Sequence, residues 1–452
     1  MGKYFGTDGF RGEVGVGLTS EHAFKIGRYL GNYLRVRSKD DRRARVVIGK
    51  DTRLSSYVLE YAMASGLASS GVDVYLLHVT TTPSVSYVTV DESFDLGVMI
   101  TASHNPFYDN GIKIIDGEGR KLGDELAAEI EAYLDAEGDN IPFSQGASIG
   151  RIVDHYSGRN GYVGHLISMA DRSYKGLRIG LDAANGAAFA IARSVFAALG
   201  AEVYSIGDEP NGLNVNYECG STHPERLARA VKERGLDVGF AFDGDADRCI
   251  AIDEGGNVVD GDAILYILAR ALKKRGKLNG DKIALTVMSN GGVIKSLEKE
   301  GIGAEITQVG DRFVAERMED MGLSLGGEQS GHIIISELAK TGDGILTAIT
   351  ITDEIIDAKA TLSELYQGLH ILPQLSKSIS VTDKRSVICD EDLSALLERL
   401  KSQNSEHRRI IVRESGTEQK IRIMAESESI SECEKTITTI TSLLRLKGYI
   451  NE

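Results

Sequence analysis

The chain has no tryptophan, six prolines and four cysteines among 452 residues. The cysteines, Cys219, Cys249, Cys389 and Cys433, are scattered without paired short spacings, which excludes a zinc site or a disulfide framework and fits the reduced thiols of a cytosolic protein. Low proline beside 51 glycines, with 42% hydrophobic and 26% charged residues, leaves no disordered or fibrous bias. No uninterrupted apolar run is long enough to span a bilayer. The opening MGKYFGTDGFRG lacks the apolar stretch of a signal peptide, and Gly6 stands where a myristoylation signal carries Ser or Thr. Basic charge is also short: the net charge of -15 repels polyphosphate backbones and anionic lipid, so neither nucleic acid nor membrane is expected as a partner. A small anion, met through local Arg and Lys clusters, remains open as a partner.

Length alone suggests about three domains. Short β-branched runs alternate with helix-length amphipathic segments, the pattern of parallel sheets with covering helices. Three blocks end alike, with an apolar strand feeding a polar, Gly-rich loop. Leu96 to Ile100 runs into Thr101-Ala-Ser-His-Asn-Pro106, and Val238 to Phe242 runs into Asp243-Gly-Asp-Ala-Asp247. The third block, Ile283 to Val287 and Ile306 to Val309, reaches Gly326-Gly-Glu-Gln-Ser-Gly-His332. Ligands in open α/β sheets bind beyond the carboxyl ends of strands, so these loops are the expected site. After Leu372-Pro373 the pattern changes. Strands at Arg409 to Val412 and Lys420 to Met424 flank Glu414-Ser-Gly-Thr-Glu418, and a helix follows from about Glu432 to Leu446, predicting a small α+β domain.

Asp243, Asp245 and Asp247 form a hard-oxygen cluster of the kind that magnesium or calcium selects. Alternate residues on an extended strand lie about 6.6 Å apart, whereas oxygens around magnesium sit about 3 Å apart. The run must therefore curl, and the small Gly244 and Ala246 permit it. An EF-hand would place Glu254 at its bidentate position, but Arg248 stands where that motif needs Gly and the flanks read as strands. An aspartyl-nucleophile phosphatase shares the Asp-x-Asp pair after an apolar strand, and a solvated acidic turn is the bland alternative.

A lone serine in a turn usually caps a backbone group, and no Gly-x-Ser-x-Gly elbow supports a hydrolase. The weight of Ser103 comes from its company. TASHNP, DGDADR, the loop residues Gly310 to Phe313, GEQSGH and RESGTE occur in that order and together resemble the phosphohexomutase superfamily over its full length. Within it, the segments at 6–12, 219–225 and 327–332 resemble the branch that acts on glucosamine phosphates.

The resemblance implies an α/β fold: three similar α/β domains with mixed, largely parallel sheets plus a C-terminal α+β domain, heart-shaped around a central cleft. The spans are 1–150 for the phosphoserine loop, 151–255 for the metal loop, 256–370 for the sugar loop and 371–452 for the phosphate loop. It further implies that Ser103 is the phosphoserine. Asp243, Asp245 and Asp247 would bind one Mg2+ per chain together with a phosphate oxygen on Ser103, while Arg11 and Arg248 relieve the excess charge and His104 supports Ser103. Lys113 and His332 are the candidates for proton transfer. Glu328 and Ser330 would hold sugar hydroxyls; Arg413, Ser415, Gly416, Thr417 and Arg422 would hold a phosphate, with Gln419 replacing the family's usual Pro. The implied reaction interconverts glucosamine 6-phosphate and glucosamine 1-phosphate, with a hexose 1,6-bisphosphate as intermediate and activator. The partner is a small-molecule sugar phosphate, and a homodimer is the assembly expected.

Overall fold

A computed structural model describes residues 2–6, 8–37, 42–402, 408–415 and 419–450. The first sheet has seven strands in the order Phe5–Gly6, Gly9–Glu13, Asp109–Asp116, Leu96–Ile100, Arg45–Lys50, Asp73–Val79 and Ile152–Asp154. Its centre is parallel: Arg45–Lys50 runs alongside both Leu96–Ile100 and Asp73–Val79. Successive side chains point to opposite faces, so Val46 and Ile48 enter one core with Ile26, Leu59 and Met63, while Val47 enters a second with Val85, Val88 and Met99. Burial on both faces accounts for the unbroken apolar run of Leu96–Ile100.

The second sheet follows the order Val258–Val259, Cys249–Ile252, Val238–Phe242, Arg178–Asp182 and Glu202–Ile206, with its last three strands parallel. The third has four strands, Gly303–Thr307, Lys282–Thr286, Leu325–Gly327 and Ile333–Ile335. The strand expected at Ile306 to Val309 lies earlier than its β-branched residues suggested. Gly310 then precedes a helix, Asp311–Met321, so the segment 310–313 is a helix start and not a free loop.

The fourth sheet is antiparallel throughout, with Lys420–Glu426 between Gln374–Ser380 and Arg409–Glu414. Helices Glu391–Ser402 and Ile430–Leu446 accompany it, and Ile421, Ile423, Leu393, Ile437 and Ile440 share its core. The chain separates into two compact units, 1–286 with 305–367 and 287–304 with 368–452. In the smaller unit, Gly291 at the start of helix Gly291–Lys299 donates its N–H to Glu426 at 3.0 Å. Among the described residues no helix is long and apolar enough to cross a membrane.

Candidate active site

Within the larger unit, the strand Leu96–Ile100 delivers Thr101, whose hydroxyl donates to Asp51 at 2.7 Å and accepts the Ser103 N–H at 2.9 Å. These bonds turn the chain sharply, leaving Ser103 at φ 53° and almost wholly buried. A non-glycine residue in that region persists only where its surroundings over-determine it. The Ser103 hydroxyl donates to Asp243 Oδ2 at 2.5 Å, with His104 Nδ1 at 3.4 Å from its oxygen. The Arg248 charge and burial push His104 down to about 2, so this ring stays neutral beside the serine.

Asp243 leaves the end of Val238–Phe242, and the run curls as its chemistry demands. Ala246 sits at φ 56°, its N–H returns to the Asp243 carbonyl at 3.1 Å, and one oxygen from each of Asp243, Asp245 and Asp247 falls within 4.8 Å of the others. Lys113 Nζ lies 2.7 Å from Asp245, 3.1 Å from Asp247 and 3.3 Å from Asp8. Burial opposes its charge, but the three carboxylates hold it well above the usual lysine range. Burial, with Asp247 and Asp245 alongside, drives Asp243 well above the usual carboxylate range.

The triad fits a divalent cation: all three side chains are buried, and Oδ1 of both Asp245 and Asp247 lies buried without a hydrogen-bond partner. Hard carboxylate oxygens are also the donors that such an ion takes. The EF-hand alternative fails, because the flanks are strands and Glu254 accepts a hydrogen bond from Ser363 instead of joining the cluster.

Around the triad, Lys121 bridges Asp8 and Asp311, and Arg11 pairs with Asp8. His332 Nε2 accepts the Gly342 N–H at 3.1 Å, and Nδ1 lies 3.7 Å from Asp247. Burial would lower the imidazole, but Asp311 and Asp247 outweigh it and raise His332 above its ordinary value. A cavity of about 460 Å³ opens beside this cluster, lined by Asp8, Lys113, Lys121, Arg312 and Phe313. Glu328 accepts the Gly310 N–H at 3.0 Å, and the Ser330 hydroxyl is buried without a partner.

In the smaller unit, Arg413 and Arg422 are directly paired across antiparallel strands. Ser415 is buried; its N–H donates to Lys420 at 2.9 Å, its carbonyl accepts from Lys384 at 2.8 Å, and its hydroxyl has no partner. Gly416 and Thr417 lie outside the described residues. Sequence reasoning missed Asp51, Arg53, Asp8, Lys121, Asp311 and Asn216. Asp51-Thr-Arg53, charged residues at the carboxyl end of a buried strand, was the signal available for the first two.

A buried serine against a carboxylate triad at the carboxyl ends of α/β strands defines a phosphoryl-transfer type of enzyme. The chain matches the phosphoglucomutase/phosphomannomutase alpha/beta/alpha domains I, II and III over residues 2–140, 160–256 and 260–371. It is 53% identical over 449 residues to the phosphoglucosamine mutase of Lachnospira eligens, covering 99% of this chain and 100% of that protein. Against the phosphoglucosamine mutase of Bacillus subtilis the identity is 46% over 445 residues, covering 98% and 99%. A crystal structure of a phosphoglucomutase/phosphomannomutase family protein from Burkholderia thailandensis superposes with a TM-score of 0.81 at 23% identity, covering 99% of this chain and 98% of that one. The chain belongs to the phosphoglucomutase/phosphomannomutase family.

Proposed function

We propose that the chain interconverts glucosamine 6-phosphate and glucosamine 1-phosphate in the cytoplasm, through a phosphorylated Ser103 and a bisphosphorylated sugar. The observation that carries this is Ser103 Oγ held 2.5 Å from Asp243 inside the triad. The glucosamine assignment draws on the relatives named above. The four loops would be carried by units near 1–150, 151–255, 256–370 and 371–452.

In the forward direction a free sugar hydroxyl oxygen bonds to the phosphorus on Ser103, the P–Oγ bond breaks, and the hydroxyl proton passes to a base. The other phosphate of the bisphosphate then returns to Ser103 by the reverse sequence. Magnesium held by Asp243, Asp245 and Asp247 would neutralise charge on the transferring phosphoryl group. His332, between Asp247 and Asp311, can hold or pass a proton at its ring nitrogens. Lys113 can release one only when another cation shares Asp245 and Asp247, because those carboxylates keep it charged. Arg11 and Arg248 offset the surplus negative charge. Glu328 and Ser330 would hold sugar hydroxyls, and Arg413, Ser415 and Arg422, with Gly416 and Thr417, would grip a phosphate.

The test is the rate at which glucosamine 1-phosphate, glucose 1-phosphate and mannose 1-phosphate become 6-phosphates with magnesium and a trace of hexose 1,6-bisphosphate. A glucosamine preference supports the proposal, together with a phosphoryl mass increment that disappears in Ser103→Ala. Preference for glucose or mannose keeps the mechanism and overturns the substrate; release of free phosphate overturns both.

A further inference from the structure

The direction of the Ser103 hydroxyl depends on what fixes a backbone bent into the left-handed region. Two donors meet the same two carbonyls. Arg53, fully buried and neutralised by Asp51 at 2.7 Å, donates through Nη2 to the carbonyls of Ser103 and Asn105, both at 2.8 Å. Asn216 Nδ2 donates to the same oxygens at 2.9 and 3.1 Å. Arg53 follows the strand Arg45–Lys50 of the serine's own sheet, at the start of the helix Leu54–Ser69. Asn216 comes from the segment after Glu202–Ile206, is itself left-handed at φ 58°, and is anchored by its N–H on the Ala184 carbonyl at 2.8 Å.

The same segment reaches the metal loop. Ser221 donates its N–H at 2.7 Å to the carbonyl of Phe242, the residue before Asp243, and Asp182 accepts the Gly220 N–H at 2.9 Å. The approaches leave no room: a Cβ on Gly220 would lie 2.5 Å from the Phe242 oxygen, and one on Gly244 2.5 Å from the Ser103 oxygen. Residues 216–221 thus form a short strut with one end on the serine loop and the other on the base of the carboxylate loop.

Resting on the reading of Ser103 as the phosphorylated residue, we infer that Asn216 is a positioning residue for phosphoryl transfer, holding Ser103 in register with Asp243. A displacement of about 1 Å at a reacting atom costs about 100-fold in rate. The test compares Asn216→Gly and Asn216→Asp. Glycine keeps the left-handed backbone and deletes both hydrogen bonds. Aspartate keeps shape and backbone tolerance but sets a carboxylate against two carbonyl oxygens.

Four quantities are measured: kcat, KM, the rate at which hexose 1,6-bisphosphate phosphorylates Ser103 as read by intact mass, and the melting temperature. The expected result is a fall in kcat of about 10- to 100-fold for the glycine variant and more for aspartate, with KM within about twofold. The phosphorylation rate falls in parallel. Wild-type phosphorylation and turnover in Asn216→Gly overturn the inference, as does a loss that follows only the melting temperature. Should Asn216→Asp fail to fold, the glycine variant alone decides. Ser103→Ala separates the two claims: if it still turns over, the phosphoserine reading fails, whereas an inactive Ser103→Ala beside a fully active Asn216→Gly sinks only the role of Asn216.

Discussion

The two units place like charges together in opposite senses. In the larger unit Asp243, Asp245 and Asp247 converge in a buried loop; in the smaller, Arg413 and Arg422 face each other across paired strands. Either arrangement is unfavourable by itself, since like charges directly opposite repel and a buried charge requires a partner. The larger unit answers with an internal cation, Lys113. In this cluster Asp8, Asp245, Asp247 and Asp311 stand against Arg11, Lys113, Lys121 and Arg248, while burial drives Asp243 toward its neutral form. A phosphoryl dianion and a divalent cation can therefore enter together without upsetting the balance. The smaller unit leaves its arginines nearer solvent, where screening weakens their repulsion. Like charges are juxtaposed in both, but only the buried cluster has an internal cation against it.

The largest effect should come from removing that stand-in. Lys113→Met strands buried carboxylates and should cost about 3–5 kcal/mol of stability in chelator. Excess magnesium should restore much of the loss, while the wild type gains less. Denaturant midpoints with and without magnesium decide it. An equal deficit in both conditions means that Lys113 does not substitute for a cation.

Asp182 supplies the contrasting case of a buried carboxylate with only the weaker pull of Arg226 against it. Burial pushes it up to about 6, two backbone N–H donors offsetting only part of the effect. Because the folded state holds this proton more tightly than the unfolded state, its contribution is present at low pH. It is lost as pH rises from about 4 through about 6, a change of up to about 3 kcal/mol. Asp182→Asn cannot titrate, so its stability relative to wild type should climb across that window. Parallel pH profiles for the two proteins would show that Asp182 is not held protonated.

The alternation of strands and helices exposed the sheets, because parallel strands buried on both faces read as apolar runs such as Leu96–Ile100. The three-carboxylate run announced its curl, since no extended strand brings alternate carboxylates within reach of one ion. What stayed hidden is long-range. Arg53 meets Ser103 from 50 residues away and Asn216 from 113, and no local spacing encodes such contacts. Lys113 read as a proton-transfer residue, yet its counter-ion role depends on carboxylates 132 and 134 residues distant. The resemblance implied a loop at 310–313, whereas Asp311 opens a helix whose first turn it supplies with negative charge.

The smallest effect tests the other half of the comparison. If Arg413 and Arg422 repel across the sheet, then Arg413→Met or Arg422→Met should be stability-neutral or stabilising by about 0.2–1 kcal/mol in phosphate-free buffer. Added inorganic phosphate should reverse the order, raising the midpoint of the wild type and not that of either variant, because a bound anion stabilises only the state that binds it. High sodium chloride should shrink the phosphate-free difference, since the repulsion acts through solvent. Variants destabilised in every buffer would show that the two arginines hold the sheet together instead of waiting for an anion, and the likeness between the two units would then end at the carboxylate triad.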